Sequence, residues 1–316
     1  MALRYLLPKG GQFYKANLHC HSTCSDGFLS PQALKAAYKA RGYHIIAYTD
    51  HRVCVDHQDL CDDQFLALNG SELDDLTNAE ETGWQKACHI CAISQEGAIL
   101  DPMIQLLHGG PDAFRKTIRQ LSKNKFIVHY NHPVWSAHCT SDFLPLKEIS
   151  GFEIYNHCSQ VYGMEGDAIH EFMLFLKNGN RAYPVAADDN HNQPHKYRRV
   201  SDSFGGFNMI KAPELTYNSI IAALLQGHTY ASTGPEIYEY VLDGMRLSIT
   251  CSTVAKAILK TSSIGLNSQN IILQNNGLSH ITFDLSNANG FACVLLYAND
   301  GTYACTNPIY EELWRT

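Results

Sequence analysis

The sequence lacks the features that mark exported and membrane-spanning proteins. Its first residues contain no apolar signal-peptide core, and no apolar run in the 316 residues approaches the roughly 20 that a membrane helix needs. It also lacks a basic excess, since 24 Lys and Arg face 31 Asp and Glu for a net charge of −7. Proteins that coat nucleic acid are usually basic, so the acidic charge argues against that class. A small nucleic acid end bound through metal ions remains a possible substrate. We therefore expect a cytoplasmic protein with no membrane partner.

No cysteine pattern indicates a disulfide framework or a complete zinc site. Among the 11 cysteines, Cys88 and Cys91 have a C-x-x-C spacing, but no second such pair completes a four-thiolate site. Without an export signal, we interpret the cysteines as reduced thiols that behave as small buried apolar side chains.

What the sequence does contain is a change of pattern near Gly234-Pro235. Before this point, short apolar runs alternate with helical segments. The predicted strands are Phe13–Leu18, Tyr43–Tyr48, Phe65–Leu68, His89–Ile93, Lys125–Val128, Gly151–Tyr155 and Ala182–Ala187. The predicted helices are Pro31–Arg41, Pro111–Lys123, Glu165–Lys177 and Thr216–Gln226. Strands alternating with such helices indicate an α/β protein with a parallel sheet, and about seven strands suggest a closed barrel.

After Gly234-Pro235, short strands follow one another with no amphipathic helix between them. They are Met245–Cys251, Ala255–Thr261, His280–Leu285, Ala292–Tyr297 and Thr302–Cys305. This pattern predicts a small antiparallel β domain. We therefore divide the chain into residues 1–235 and 236–316.

His19 and His21 are the first candidate metal ligands. They follow a predicted strand, in which side chains at i and i+2 point to the same face, about 7 Å apart. Two imidazoles in this arrangement can hold one metal ion.

The same residue types recur at the other predicted strands. The further candidates are Asp26, His51, Glu72, His89, His132, Asp189 and His191. Parallel barrel strands present their carboxyl ends at one face, where barrel enzymes build their active sites. We therefore expect these side chains to meet in one metal site.

Three neighbouring residues leave alternatives open. His129 could be a ligand in place of His132, but we prefer His132 because it lies just past the strand, where the loop lines the mouth of the barrel. Asp50 and Asp188 precede expected ligands and point to the opposite side. We predict that Asp50 orients an imidazole or caps a helix, and that both aspartates support the ligands from behind.

These motifs together resemble those of the polymerase and histidinol phosphatase (PHP) family of metal-dependent hydrolases. The matching motifs are His19-x-His21, Ser25-Asp26-Gly27, Thr49-Asp50-His51, Gly70-Ser71-Glu72, His89, His132-Pro133 and Asp189-x-His191. They occur in the family's order over about residues 12–235. Phe204–Phe207, Ser232–Pro235 and Thr306–Ile309 also resemble a bacterial subgroup that includes carbamate insecticide hydrolases.

The resemblance implies a distorted (β/α)7 barrel with a trinuclear metal site. His19, His21, Glu72 and Asp189 would hold one metal; Asp26, His51 and His191 a second; and a bridging Glu72, His89 and His132 a third. Histidine and carboxylate ligands suit zinc, manganese or iron, so we expect two or three such divalent ions.

Such a cluster activates water, so the leading hypothesis is a phosphoesterase. It would hydrolyse a small phosphate ester or a nucleotide or oligonucleotide 5′ end through a metal-bridging hydroxide, with no side-chain base assigned. One alternative is a carbonyl-centre hydrolase of carbamates, esters, lactones or amides. The other is a non-catalytic metal-stabilised module, which the intact ligand set disfavours. No obligate protein partner is evident.

Two sets of side chains bear on the choice of substrate. Cations near the expected mouth favour an anionic substrate such as a phosphate, or are simply solvated loop charges; they are Arg52, Lys196, Arg198 and Arg199. Aromatic residues could instead build an apolar pocket for a neutral ester; they are Trp135, Tyr155, Tyr162 and Tyr197.

Overall fold

The computed structural model describes residues 3–76, 86–106, 110–194, 201–263 and 271–315. Its strands are β1 (Arg4–Tyr5), β2 (Gln12–Asn17), β3 (Ile45–Tyr48), β4 (Leu66–Leu76), β5 (Ala87–Ser94), β6 (Phe126–Tyr130), β7 (Gly151–Asn156), β8 (Tyr183–Ala187), β9 (Phe207–Ala212), β10 (Thr229–Ser232), β11 (Ile237–Asp243), β12 (Arg246–Thr261), β13 (Ile271–Asp284), β14 (Phe291–Tyr297), β15 (Tyr303–Thr306) and β16 (Ile309–Tyr310). The result is a mixed α/β fold built on one large sheet.

Four of the described helices correspond to the predicted ones, whereas α3 and α4 were not predicted, and α5 begins four residues later than expected. The helices are α1 (Pro31–Lys39), α2 (Gly110–Lys123), α3 (Thr140–Phe143), α4 (His157–Val161), α5 (Ile169–Lys177) and α6 (Tyr217–Leu225), with short 3-10 turns at Gln58–Leu60 and Glu311–Leu313. α1 starts as expected, because the Ser30 side chain accepts a hydrogen bond from the Ala33 amide and Pro31 occupies the first turn. None of the helices in the described ranges has the length and apolarity to cross a bilayer.

Strands β2 to β8 lie side by side in chain order, but the expectation of a purely parallel sheet is wrong. β2, β3 and β4 are parallel, as are β6, β7 and β8. β5 runs antiparallel to both of its neighbours. The reason is the length of β4, which continues to Leu76 instead of ending at Leu68, so that β5 returns along it with Glu72 opposite Cys91.

The two ends of this row of strands meet beyond β2 and β8. The Asp189 amide donates a hydrogen bond to the His19 carbonyl oxygen (3.0 Å), and the His21 amide donates to the Asn190 carbonyl oxygen (3.2 Å). Farther down β8, the Asn208 side chain of β9 accepts from the Ala186 amide and donates to the Pro184 carbonyl oxygen. Within the described residues, no backbone ladder joins β8 to β9.

The C-terminal strands form an antiparallel β unit, as the sequence indicated. The two predicted strands between Met245 and Thr261 are one strand, β12, whose register shifts between Thr250 and Val254. The sequence analysis did not predict β9, β10 and β11. β10 pairs with both β9 and β15, so hydrogen-bonded strands continue from the first part of the chain into this unit.

Candidate metal centre

Glu72 of β4 is the centre of a buried cluster of imidazoles. Five histidine nitrogens lie within 3.3 Å of its two carboxylate oxygens: those of His19 (3.3 Å), His21 (3.2 Å), His51 (3.3 Å), His89 (3.0 Å) and His132 (3.3 Å). The Glu72 side chain is only 1% exposed, so water cannot replace these partners. A carboxylate among five imidazoles, with no Lys or Arg among its contacts in the described residues, suits a cation shared by the group.

His19, His21 and Asp189 form the tightest part of the cluster with Glu72. His21 Nε2 lies 2.9 Å from Asp189 Oδ1, and His19 Nε2 lies 3.2 Å from the same oxygen. The two imidazole nitrogens are 3.2 Å apart. These distances follow from the fold, because the histidines extend β2, Asp189 extends β8, and the two chain segments are hydrogen-bonded to each other.

Asp26, His51 and His191 form a second group on the more exposed side. Asp26 Oδ2 lies 3.3 Å from His191 Nε2 and 3.7 Å from His51 Nε2. The Asp26 side chain is 52% exposed, whereas His191 and His51 are about one-fifth exposed. His21 Nδ1 lies 3.6 Å from Asp26 Oδ1, so this imidazole connects the two groups.

His89 and His132 complete the cluster from the opposite side of Glu72. His89 lies near the start of β5. Because β5 runs antiparallel to β4 and β6, its first half lies at the same end of the sheet as the cluster. His132 adopts a left-handed backbone conformation (φ 24°), as does Asp189 (φ 52°). Such strained conformations concentrate at functional sites. His129 does not reach the cluster: its Nε2 lies 2.7 Å from the Tyr183 hydroxyl.

The structure therefore brings together all the side chains that the sequence analysis named as ligands. They are His19, His21, Asp26, His51, Glu72, His89, His132, Asp189 and His191. None of the potential metal-binding groups among the described residues includes a side chain from the C-terminal strands.

Hydrogen bonds behind the histidines prepare their nitrogens for a metal. His19 Nδ1 lies 3.0 Å from Glu153 Oε1, and His191 Nδ1 lies 2.9 Å from the Asp189 carbonyl oxygen. Both oxygens are acceptors, so each Nδ1 carries a hydrogen, and Nε2 is the nitrogen that each ring would offer to a metal after losing its proton. This donor set, six imidazoles and three carboxylates that are mostly buried, fits divalent first-row metals.

The electrostatics of the metal-free cluster agree with this fit. Burial opposes the ionisation of Glu72 and Asp189, but the surrounding imidazoles hold the pKa of both carboxyl groups well below their usual range. Burial alone would lower the pKa of His191, yet Asp26, Cys158 and Asp189 raise it to about 11. The carboxylates therefore stay ionised and attract positive charge, whether protons or metal ions.

The sequence analysis missed Glu153 of β7, which holds two ligands in place. This carboxylate is 1% exposed and accepts hydrogen bonds from His19 Nδ1 (3.0 Å), the His132 amide (2.7 Å) and Asn156 Nδ2 (3.0 Å). Asn156 Nδ2 also donates to Asp189 Oδ2 (3.1 Å). The available signal was an acidic residue within an otherwise apolar predicted strand, since a buried carboxylate needs partners.

Asp50 and Asp188 support loops beside the cluster. We expected Asp50 to orient an imidazole or cap a helix, but the hydrogen bonds that it accepts in the described part of the chain come from the Ser22 amide, the Ser22 hydroxyl and the Ser25 hydroxyl. It instead shapes the loop that carries Asp26. Asp188 accepts from the backbone amides of residues 204–206 and from the Tyr38 hydroxyl. Gly205 is required there, because a Cβ would overlap the His157 ring.

Of the four predicted substrate-binding cations, the structure describes Arg52. Both Arg52 Nε and Arg52 Nη2 donate to the Asp74 carboxylate, although the Arg52 side chain is 69% exposed. Asp74 Oδ1 also lies 3.5 Å from His51 Nδ1, so Arg52 contacts the cluster through an acid. The other three cations, Lys196, Arg198 and Arg199, lie outside the described residues.

The cluster opens into a cavity of about 380 Å³. Besides the ligands, its lining contains Trp135, Cys158, Ser159, Tyr162, Met164 and Gln193. Trp135 and Tyr162, two of the four aromatic residues expected to build an apolar pocket, therefore line the cavity. Tyr155 packs against Tyr303 and does not line the cavity, and Tyr197 falls outside the described residues.

Comparison with known proteins gives matches in structure. No protein-family profile and no curated protein sequence matches this chain. A two-domain protein from Bacteroides vulgatus, containing a predicted PHP-like metal-dependent phosphoesterase, is 18% identical with a TM-score of 0.51, and the match covers 95% of this chain and 96% of that chain.

Two other solved structures match a smaller share of this chain. A proposed metal-dependent phosphoesterase from Bifidobacterium adolescentis is 13% identical over 62% of this chain and 94% of that chain, with a TM-score of 0.37. An amidohydrolase from Chromobacterium violaceum, with bound sulfate and no metal, is 16% identical over 56% of this chain and 87% of that chain, with a TM-score of 0.38. From the Bacteroides match, the resemblance to PHP-like metal-dependent phosphoesterases is confirmed at the level of the fold, over nearly the whole chain.

Proposed function

We propose that this chain is a metal-dependent phosphoesterase. Its substrate is a small phosphate ester or a nucleotide or oligonucleotide 5′ end. The observation that carries the proposal is the convergence of five imidazoles on Glu72, beside Asp189 and Asp26, at the wall of a cavity. The proposal includes a distorted (β/α)7 barrel, formed by strands β2 to β8, within a domain of residues 1–235, and a β domain of residues 236–316. It also places the protein in the cytoplasm.

The ligands divide into three sets around shared side chains. The first is His19, His21, Glu72 and Asp189; the second is Asp26, His51 and His191; the third is Glu72, His89 and His132. Two or three zinc, manganese or iron ions would supply Lewis acidity there, activating water and neutralising charge on the ester. Glu72 and Asp189 balance the charge of these ions, while Glu153 and Asn156 hold the ligands in their positions.

Among the described residues, the side chains that line the cavity supply no activated nucleophile of their own. Cys158 contacts His191, but burial raises the pKa of its thiol to about 11, so it is protonated at neutral pH. Ser159 lines the same wall, and its amide donates to Asn156 Oδ1. The attacking group in this proposal is therefore water, in keeping with a metal-dependent hydrolase.

One observation favours a second candidate, a hydrolase of carbamates, esters, lactones or amides. The cavity lining given by the described part of the chain contains aromatic and acidic side chains but no Lys or Arg. A phosphate monoester keeps negative charge that a guanidinium normally binds, whereas a neutral ester does not need this partner. Gln193, which lines the cavity, nevertheless lies just before the segment that contains Lys196, Arg198 and Arg199.

A substrate panel distinguishes these candidates. Metal-reconstituted protein is assayed with 4-nitrophenyl phosphate, 4-nitrophenyl acetate and a 4-nitrophenyl carbamate, which share one leaving group. We expect the phosphate ester to have the highest kcat/KM, and chelation to abolish its hydrolysis. Turnover of the acetate or carbamate alone identifies a carbonyl hydrolase, and no turnover by fully loaded protein identifies a metal-stabilised module.

The cations after Gln193 give a second prediction. The double substitution Arg198→Ala/Arg199→Ala should raise KM for a phosphate monoester by about tenfold or more, because a charged hydrogen bond to the phosphate is lost. Arg52→Ala should have a smaller effect, since Asp74 already occupies two donors of this guanidinium. Arg246→Ala, on β12 of the C-terminal unit, serves as the matched control.

Metal content is measured for all of these variants and should stay at the wild-type value. An unchanged KM in the double variant would remove the segment from the proposed substrate site. A loss of metal would mean that these arginines act on the cluster and not on the substrate.

A further inference from the structure

The cavity has two chemically different walls. The metal-binding wall is polar and consists of the candidate ligands that line the cavity, which are Asp26, His51, Glu72, His89, His132, Asp189 and His191. The apolar wall adjoins it and comes from the segments after β6 and β7, which contribute Trp135, Tyr162 and Met164. A substrate bound at the cluster must therefore extend its other end along an apolar surface.

This apolar wall is exposed although its side chains are large. Trp135 is 36% exposed, Tyr162 is 38% exposed and Met164 is 44% exposed, all at the same opening. Exposed apolar side chains gathered in one place commonly mark a binding surface. Because these side chains lie beside the cluster, the geometry favours part of a bound substrate as the group that covers them.

Trp135 is held in a fixed orientation towards the cavity. Its ring lies edge-on to the rings of His132 and His89, with centroid distances of 4.8 Å and 5.4 Å. The ring therefore adjoins two candidate ligands on one side and the cavity on the other. A flat ring attached to the reacting ester can pack on Trp135 without displacing a ligand.

Polarity and size also restrict the leaving group. A sugar or glycerol alcohol carries hydroxyl groups that need hydrogen-bond partners, which the Trp135 and Met164 side chains supply poorly. A volume of about 380 Å³ lies near the lower end of the usual range for small-molecule sites. The space therefore suits a single small ring system beside the reacting group.

We propose that the site selects esters whose leaving alcohol carries a small apolar aromatic ring, and that Trp135 is the residue that determines this specificity. The inference rests on the proposed function and narrows its substrate class. In the reaction, the oxygen of water forms a bond to phosphorus, the bond from phosphorus to the alcohol oxygen breaks, and the alcohol leaves with a proton.

The test compares benzyl phosphate with propyl phosphate, because their alcohols have similar basicity and differ mainly in the ring. The metal-loaded wild type should prefer benzyl phosphate by about tenfold or more in kcat/KM, as expected for a matched apolar contact. Trp135→Ala should bring this ratio close to one, mainly through KM for benzyl phosphate, and Trp135→Phe should retain most of it.

Further variants separate specificity from general damage. Tyr162→Ala should also lower the ratio, while Tyr238→Ala removes an equally exposed aromatic side chain on β11 and should leave it unchanged. Metal content should match the wild type throughout. If Trp135→Ala fails to fold, Trp135→Phe and Tyr162→Ala decide the question.

Binding gives a readout that is independent of turnover. Calorimetry with benzylphosphonate and propylphosphonate should show the same preference, and Trp135→Ala should lose it. Equal values for the benzyl and propyl compounds in the wild type would overturn the inference and leave the phosphoesterase proposal intact. If only carbonyl esters are hydrolysed and benzyl esters are preferred over propyl esters, the phosphoesterase proposal fails. The inference that the site selects an aromatic alcohol group is then retained.

Discussion

Glu72→Ala and Asp189→Ala should each bind fewer divalent ions than the wild type and lose far more activity than the about 100-fold that supporting residues usually cost. Five imidazoles surround Glu72, and two share one oxygen of Asp189. Without either carboxylate, the histidines cannot balance the charge of the ions. Elemental analysis after gel filtration should give two or three ions per wild-type chain, and kcat/KM with one phosphate ester measures activity.

Asp50→Ala is the comparison for these two variants. Asp50 contacts Ser22 and Ser25 and no ligand atom directly, so its loss should leave the ions bound and lower activity by about 10- to 100-fold. Thermal unfolding of the metal-free proteins shows whether each variant is folded. Equal damage from all three substitutions would contradict the division between ligands and supporting residues that the geometry indicates.

Glu153→Gln should weaken metal binding by about 10- to 100-fold without removing any ligand. The Glu153 oxygen that faces the His132 amide and Asn156 Nδ2 must remain an acceptor, so the glutamine oxygen takes that place. The glutamine NH₂ group then faces His19 Nδ1 and forces this nitrogen to accept. The hydrogen of His19 moves to Nε2, where it points into the cluster and blocks a lone pair.

Two measurements check this prediction. Chelator competition gives the metal affinity, and ¹⁵N chemical shifts of His19 report which ring nitrogen carries the hydrogen. Glu148→Gln is the matched control, because Glu148 pairs with Arg115 and Arg119 away from the cluster. An unchanged affinity together with an unchanged His19 tautomer would mean that Glu153 acts only through the His132 backbone.

The sequence predicted which side chains meet better than it predicted the strands that carry them. Histidine and carboxylate residues at strand ends are recognisable because their spacing and residue types are specific to metal binding. The direction of β5 was not predictable in this way, because an apolar run such as Ile90–Ile93 reads the same in both directions. β4 was predicted to end at Leu68, because Asn69 and the residues after it resemble a loop when their partners are unknown.

Those partners explain why β4 continues. Asn69 Nδ2 donates to the Asp56 side chain and the Gly97 carbonyl oxygen, and Ser71 Oγ donates to the Asp50 carbonyl oxygen. Glu72 itself is satisfied by the imidazoles of other strands. Polar residues can thus extend a strand when distant segments supply their hydrogen bonds, and a local pattern contains no record of those segments.

The side-chain link between β8 and β9 through Asn208 has a mechanical consequence. Asn208 supplies the two hydrogen bonds described there, where other neighbouring strands are joined by runs of backbone bonds. Small changes in the spacing of β8 can therefore be absorbed by a rotation of one amide group, without the loss of a backbone ladder. Asp189 lies just beyond β8, but its amide is bonded to the His19 carbonyl oxygen, so this carboxylate stays aligned with the histidines after β2 while the seam farther down β8 can yield.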